Sequence, residues 1–240
     1  MRHIRGFDGI RAISVLLVIA SHVGIIAFFK EDAFGRQFFS VFNADFGVRT
    51  FFVLSGLLIT TLLMRERRET GKVHIGYFFM RRVLRILPVY FLAIGLMLVL
   101  AYAGIAQYKP TAFLYGTLFA FNYVPISQNL NYMSHLWSLA VEEQFYIFWP
   151  LVFSLTFTRK PLILAFCLMI IAACYYFMRY GYAADIVATY YTNRWTIPAI
   201  YPIMLGCVAA IIHDAARPFI KTIIALLVSC SLISLPLFLG

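Results

Sequence analysis

Runs of about twenty apolar residues follow one another along this chain, and they limit its possible folds more than any other feature. A run of that length crosses a bilayer as an α-helix, which satisfies its own backbone hydrogen bonds where no water can. The composition excludes a water-soluble domain, since 62% of the residues are hydrophobic and only 12% are charged, which leaves too little polar surface. The sequence therefore predicts an all-α, polytopic transmembrane helix bundle that forms a single domain over residues 1–240.

Eight apolar segments are predicted to form the helices of this bundle. They cover residues 9–29, 46–64, 86–105, 111–125, 135–158, 162–178, 195–212 and 219–239. The fourth segment is short and contains Asn122, so it either spans the membrane or re-enters it, and the sidedness of every later segment depends on that choice. The first segment has no small-residue cleavage site after His22 and is expected to remain as an anchor. The apolar end at Gly240 suggests a fragment or a truncated chain.

The basic residues gather at the ends of apolar segments instead of forming one cationic surface. Between the second and third segments seven basic residues are opposed by two glutamates, and the seven are Arg65, Arg67, Arg68, Lys72, Arg81, Arg82 and Arg85. Because positively charged loops stay in the cytoplasm, this loop and the amino terminus are both predicted to be cytoplasmic. The positive charges behind the net charge of +10 are thus expected to contact anionic lipid head groups, and no nucleic-acid partner is expected. The four cysteines lack the spacing of metal ligands, so no metal site is expected.

Ionisable side chains in the first segment point to an active site. Arg11 and His22 are eleven residues apart, so on an α-helix they share one face and lie about 16 Å apart along its axis. Asp8 and Ser14 are each three residues from Arg11 and extend the polar stripe. Ionisable groups at membrane depth usually face a protein interior or a wet cavity. His22 is predicted to act as a general base; the alternative is a structural histidine bonded to a neighbouring helix.

A second polar stripe begins the fifth segment. His135, Ser138 and Glu142 follow one another at spacings of three and four residues, so they share a helix face, whereas Glu143 is rotated by about 100°. Glu142 is therefore the candidate for orienting a histidine or a substrate hydroxyl. Alternatively, both glutamates simply favour the positive end of the helix dipole.

Two further groups each have a functional and a structural interpretation. Arg81, Arg82 and Arg85 form a forked cationic surface that suits a phosphate-bearing cytosolic donor, or they only set topology and bind lipid phosphate. Ser55 and Gly56 lie inside the second segment, where small residues usually permit close helix approach. The other interpretation is that they line a path for an acyl chain.

Four motifs occur in one order within the first 150 residues. They are Asp8-Gly9-Ile10-Arg11-Ala12 with His22 completing an R-x10-H pattern, Phe51-Phe52-Val53-Leu54-Ser55-Gly56, Arg81-Arg82-Val83-Leu84-Arg85-Ile86-Leu87-Pro88, and Trp137-Ser138-Leu139-Ala140-Val141-Glu142-Glu143-Gln144-Phe145-Tyr146. Together they resemble the bacterial membrane acyltransferase-3 family, whose members O-acylate surface polysaccharides, O-antigens, lipooligosaccharides and some antibiotics. Arg49-Thr50 departs from the aspartate-plus-apolar pair that often precedes the two phenylalanines in that family.

The resemblance implies a bacterial inner-membrane O-acyltransferase. Its donor would be a cytoplasmic acyl-CoA such as acetyl-CoA, with no bound cofactor, and its acceptor a hydroxyl of a surface or lipid-linked carbohydrate. His22 would be the catalytic base or acyl relay, Arg11 would steady negative charge beside it, and Glu142 would be the acidic residue. The candidate substrate-binding residues are Asp8, Ser55, Arg81, Arg82, Arg85, His135, Trp137 and Ser138. The family usually has more helices than are predicted here, so the carboxy-terminal part is expected to be incomplete.

Two other functions fit the same sequence features. A transporter or flippase of a lipid-linked sugar could use the polar stripe as a path, and it would tolerate His22→Gln. A truncated, inactive homologue could serve as a structural subunit, and His22→Ala would then change no product.

Overall fold

The computed structural model describes residues 7–23, 42–156, 160–180 and 193–213. Across these residues the regular structure is helical, and the predicted all-α class is confirmed. The α-helices are α1 (Phe7–His22), α2 (Ala44–Thr70), α3 (Ile75–Tyr102), α4 (Pro110–Thr117), α5 (Leu136–Thr156), α6 (Lys160–Tyr180), α7 (Thr196–Ala199) and α8 (Tyr201–His213). The predicted eighth segment, residues 219–239, lies outside the described residues.

Three of the described helices are long and apolar enough to cross a membrane. These are α2, α3 and α6, with α1 and α8 as shorter apolar helices. The chain is therefore a membrane protein built from a helical bundle.

The third predicted segment begins earlier than expected. Its helix starts at Ile75 rather than near residue 86, so Arg81 and Arg85 lie inside α3 and Pro88 lies well past its first turn. The prediction used the basic residues as a boundary, but arginine is a good helix former and does not stop a helix. The arginines are thus carried on a rigid helix and not on a loop.

The fourth predicted segment does not form a spanning helix. Its helix, α4, has eight residues and rises about 12 Å, less than half the hydrocarbon thickness. The chain continues in three short 3-10 turns, at Phe121–Tyr123, Ile126–Gln128 and Asn131–Met133. Of the two alternatives left open by the sequence, the structure favours the one in which the chain does not cross here.

The seventh predicted segment is interrupted. It forms α7 and α8 with a break at Ile200. Pro202 lies at the second position of α8, where its missing N–H costs no helical hydrogen bond. The break leaves α7 as a single turn.

The chain divides into two compact units, residues 1–62 with 201–240 and residues 63–200. In the first unit α2 and α8 cross in close backbone contact. A Cβ built on Gly56 would overlap the carbonyl oxygen of Ile203, and one built on Gly206 would overlap that of Val53. The interpretation of Gly56 as a close-packing residue fits this contact, because no side chain fits there.

The first unit also packs α1 against α2. A Cβ on Gly47 would lie 2.7 Å from the carbonyl oxygen of Ser14 and 3.0 Å from a methyl group of Val18. This approach sets the register of the two helices. It brings Arg11, one turn before Ser14, level with Phe51, one turn after Gly47.

The second unit has its core between α3, α4, the 3-10 turns and the start of α5. The buried side chains of this core include Tyr90, Ile94, Phe121, Leu130, Met133 and Leu136. The Tyr90 hydroxyl donates to the carbonyl oxygen of Gly116 at 2.7 Å, deep in this core. That bond ties the end of α4 to the middle of α3.

Candidate active site

His22 ends α1 with its imidazole exposed and its orientation fixed by its own helix. Its Nδ1 lies 2.8 Å from the carbonyl oxygen of Val18. A carbonyl oxygen only accepts hydrogen bonds, so Nδ1 carries the proton of this bond. In the neutral ring the lone pair is then on Nε2, which is the arrangement of a general base.

Arg11 lies on the same helix about three turns away and does not meet His22. Its guanidinium carbon lies 5.3 Å from the centroid of the Phe51 ring on α2. The two side chains are separated by about 16 Å along the helix axis. Ser14, which also belongs to the predicted stripe, bonds the backbone of its own helix. Its hydroxyl donates to the Ile10 carbonyl oxygen at 2.8 Å. The backbone of Asp8 belongs to the first turn of α1.

Arg49, where the sequence departs from the family pattern, is held by two partners in the first unit. Its guanidinium lies 2.6 Å from an Asp45 carboxylate oxygen and donates to the Tyr201 hydroxyl at 2.6 Å. This arginine therefore links the start of α2 to the start of α8.

In the second unit, a tyrosine joins two of the predicted site residues. Arg82 on α3 lies over the Tyr146 ring, with its guanidinium carbon 3.5 Å from the centroid. The Tyr146 hydroxyl donates to an oxygen of Glu142 at 2.6 Å, and Glu142 is 5% exposed. A cation over an aromatic face and a charge-assisted hydrogen bond both stabilise this arrangement. Arg82, Tyr146 and Glu142 are called the Arg82 cluster below.

The other two arginines of α3 are more exposed than Arg82. Arg81 and Arg85 are exposed and four residues apart, so they lie on one side of the helix. The arginine motif therefore divides into one inward residue and an outward pair. The outward pair is therefore more accessible to a ligand than Arg82.

The start of α5 carries the remaining predicted residues. His135 is exposed, and its carbonyl oxygen accepts the Ser138 hydroxyl at 3.1 Å. Trp137 lies under the guanidinium of Arg194, whose carbon is 5.6 Å from a ring centroid. Ser138 thus bonds the backbone at the helix start, while Glu142 is engaged by Tyr146 further along.

Ser55 is fully buried in α2. Its neighbour Gly56 is in contact with the backbone of α8. No acyl chain can pass between α2 and α8 at Gly56, because even a methyl group does not fit there.

Sequence reasoning missed a polar network in the second unit. It joins Asn122, Gln144 and Thr196, and the amide of Gln144 donates to Asn122 Oδ1 at 3.0 Å. In the sequence Asn122 is a polar interruption of an apolar segment, and such an interruption is itself a signal of a functional position. Thr196 carried no sequence signal, because its role depends on a contact across more than fifty residues.

Comparison with known proteins adds a family and several relatives. A family model described as an acyltransferase domain matches residues 4–240. A Staphylococcus aureus (strain COL) protein described as a candidate O-acetyltransferase is 37% identical over 164 residues, which cover 63% of this chain and 25% of that protein. O-acetyltransferase OatA of S. aureus (strain NCTC 8325) is 35% identical over 173 residues, which cover 67% of this chain and 26% of OatA.

The matched region spans about a quarter of the length of these curated relatives. Among solved structures, none gives a significant match.

Proposed function

The chain belongs to the acyltransferase-3 family, and from that premise we propose that it is a membrane O-acyltransferase. It transfers an acyl group from a cytoplasmic acyl-CoA to a hydroxyl of a surface or lipid-linked carbohydrate. Acetyl is the proposed acyl group, since the similar S. aureus proteins are described as O-acetyltransferases. The proposed location is the bacterial cytoplasmic membrane, with the amino terminus in the cytoplasm.

The observation that carries the proposal is the hydrogen bond from His22 Nδ1 to the Val18 carbonyl. It leaves Nε2 to accept the proton of the acceptor hydroxyl while that oxygen attacks the thioester carbon. The carbon–sulfur bond then breaks, and the imidazolium returns the proton to the sulfur of CoA. The same Nε2 could instead take the acyl group first and pass it on, which is the relay version of the mechanism.

Arg11 is proposed to bind the donor at a distance from the reacting atoms. The axial separation of about 16 Å prevents it from contacting the oxyanion that forms beside His22. An acyl-CoA is long, with the thioester at one end of an extended arm and phosphates at the other. Arg11 would hold an oxygen further along that arm, so its loss should affect donor binding more than the chemical step.

The experiment compares His22→Gln with His213→Gln. Glutamine is polar and similar in reach but is no base, so His22→Gln should lower acyl transfer by about 10²–10⁴-fold. His213 ends α8 as His22 ends α1, which makes it a matched control that should keep full activity. Ester-linked acyl groups on cell-surface glycans are measured by mass spectrometry, with both variants quantified in the membrane.

The outcomes separate the three functions. Loss of the ester in His22→Gln alone supports the transferase. An ester pattern unchanged by His22→Gln, with the variant present in the membrane at the normal level, contradicts it. In that case glycan export would distinguish a transporter from a structural subunit.

A further inference from the structure

Three polar side chains in the second unit converge on the hydroxyl of a fourth residue, Thr196. Thr196 Oγ1 accepts from Asn122 Nδ2 at 3.0 Å and from the Tyr123 hydroxyl at 2.7 Å, and it donates to Gln144 Oε1. Asn122 is 3% exposed. These residues come from a 3-10 turn, α5 and α7, so the network fixes three distant chain segments to one another.

The backbone beside this network is strained. Phe119 has φ = 52°, a conformation that a bulky residue rarely adopts. Two contacts hold it: its carbonyl oxygen accepts from Gln144 Nε2 at 2.8 Å, and its ring stacks on Tyr90 with centroids 4.2 Å apart. Strain of this kind persists where the surrounding structure over-determines it, and such residues concentrate at functional sites.

At the outer edge of the network, two aromatic rings are exposed side by side. Tyr123 and Trp195 are each 41% exposed, and their ring centroids are 6.1 Å apart. Hydrogen bonding of Tyr123 to Thr196, the residue after Trp195, keeps the two rings together. Large rigid rings with polar edges are suited to binding ligands that have both apolar and polar faces.

The residue before Trp195 in the chain is an arginine. Arg194 donates to the Ser134 hydroxyl at 3.0 Å and lies over the ring of Trp137. These two contacts fix its planar fork one residue before Trp195 in the chain. Five N–H donors in a fixed plane suit the ring and hydroxyl oxygens of a sugar.

We propose that Tyr123, Trp195 and Arg194 form the acceptor subsite, which binds a pyranose ring of the carbohydrate. This inference rests on the proposed function. The aromatic faces pack against the C–H face of the sugar, while the guanidinium bonds its oxygens. The Thr196 network holds Tyr123, whose ring lies beside Trp195, and Ser134 holds Arg194, so the subsite is formed before the acceptor arrives.

Contacts along α5 place this subsite beside α3, since Thr196 bonds Gln144, two residues before the Tyr146 ring that Arg82 covers. α3 begins beside the basic segment and is about 42 Å long. α4 is too short to carry the chain back across the membrane. α5 therefore starts beyond the middle of α3, where Leu136 and Ile94 both lie close to Gly116, and Arg194 meets Ser134 just before that start. Trp195 approaches Phe177 near the end of α6, with ring centroids 6.3 Å apart.

The test measures sugar binding by the purified full chain in detergent. Binding of maltotetraose, chitotetraose and trigalacturonate is measured by saturation-transfer NMR. Wild type should bind at least one of them, Trp195→Ala and Arg194→Gln should weaken that binding about tenfold or more, and Trp195→Phe should restore most of it. Tyr176→Ala is the control, since Tyr176 is an exposed ring on α6 that pairs with Tyr180.

Acyl transfer is measured separately, so the two proposals can fail separately. Sugar binding by wild type without acyl transfer contradicts the transferase and leaves the subsite standing. Acyl transfer with an unchanged acceptor KM in both Trp195→Ala and Arg194→Gln overturns the subsite, as does wild type that binds none of the probes. If Tyr123 and Trp195 only anchor the protein at the membrane interface, Trp195→Ala lowers the amount of protein in the membrane while the KM is unchanged, which also overturns it.

Discussion

Tyr146 shows how a single side chain can hold two candidate site residues that come from different helices. Its ring lies against Arg82 of α3, and its hydroxyl bonds Glu142 one turn earlier on α5. Glu142 is buried, so water cannot stabilise its carboxylate. The Tyr146 hydroxyl donates a hydrogen bond in place of one from solvent. Tyr146 is therefore a positioning residue for the Arg82 cluster.

Replacing Tyr146 with phenylalanine should destabilise the protein. The ring under Arg82 is kept, but Glu142 loses a hydrogen bond inside the protein, which costs about 1–3 kcal/mol. Thermal unfolding of the purified protein measures the effect. Tyr176→Phe, on an exposed tyrosine, is the control, and equal unfolding temperatures for the two variants would contradict the role given to Tyr146.

Part of this cluster could be predicted from the sequence. The four-residue spacing placed Glu142 and Tyr146 on one helix face, and their hydrogen bond is found. The contact with Arg82 could not be predicted, because it depends on the register in which α3 and α5 cross. The Thr196 network was hidden for the same reason, since its members are separated by up to 74 residues.

At the scale of elements, α3 presents its arginines in two directions. Arg82 turns toward α5, and the exposed pair Arg81 and Arg85 points outward. The three arginines are close together in the sequence, but the helix turns their side chains in different directions. We therefore propose that the exposed pair binds the donor phosphates.

Neutralising that pair should weaken donor binding. The variant Arg81→Gln/Arg85→Gln should raise the KM for acetyl-CoA about tenfold or more, because charge-assisted bonds to phosphate are lost. With acetyl-pantetheine, which lacks the nucleotide phosphates, the same variant should match wild type. Arg65→Gln, which removes charge from the same basic segment, is the control. A KM for acetyl-CoA that the double variant leaves unchanged would rule out this donor site.

The crossing of α2 and α8 should tolerate no side chain. Gly56→Ala or Gly206→Ala forces a methyl group into a backbone carbonyl, so each should destabilise the protein by about 1–3 kcal/mol or prevent folding. Gly95→Ala, in α3 with open space around it, should be neutral or stabilising by up to about 1 kcal/mol. Thermal unfolding and the yield of folded protein are measured for all three variants. A Gly56→Ala protein as stable as wild type would contradict this packing.

At the scale of the whole molecule, the short α4 changes the expected sidedness of the later segments. If the basic segment around Lys72 is cytoplasmic, α3 ends outside and α5 returns, so Lys160 lies in the cytoplasm. A spanning fourth segment would instead put Arg159 and Lys160 outside, against the charge rule. The family match runs over residues 4–240, and the single-domain organisation stays a prediction.

Cysteine labelling tests this path. Lys72→Cys and Lys160→Cys should react with a membrane-impermeant maleimide only after cells are permeabilised, whereas Gln128→Cys should react in intact cells. The parent chain, with its native cysteines, gives the background. Labelling of Lys160→Cys in intact cells would mean that the fourth segment crosses after all.

The irregular chain between α4 and α5 has a consequence for where water must go. Phe119 stacks on Tyr90, which lies near the middle of α3, about 18 Å from its carboxy-terminal end. Non-helical backbone at such depth is tolerated only where protein covers it or where it borders water. A hydrated recess that opens on the outer side would meet this condition. A sugar could then reach its subsite while still hydrated, without passing through lipid.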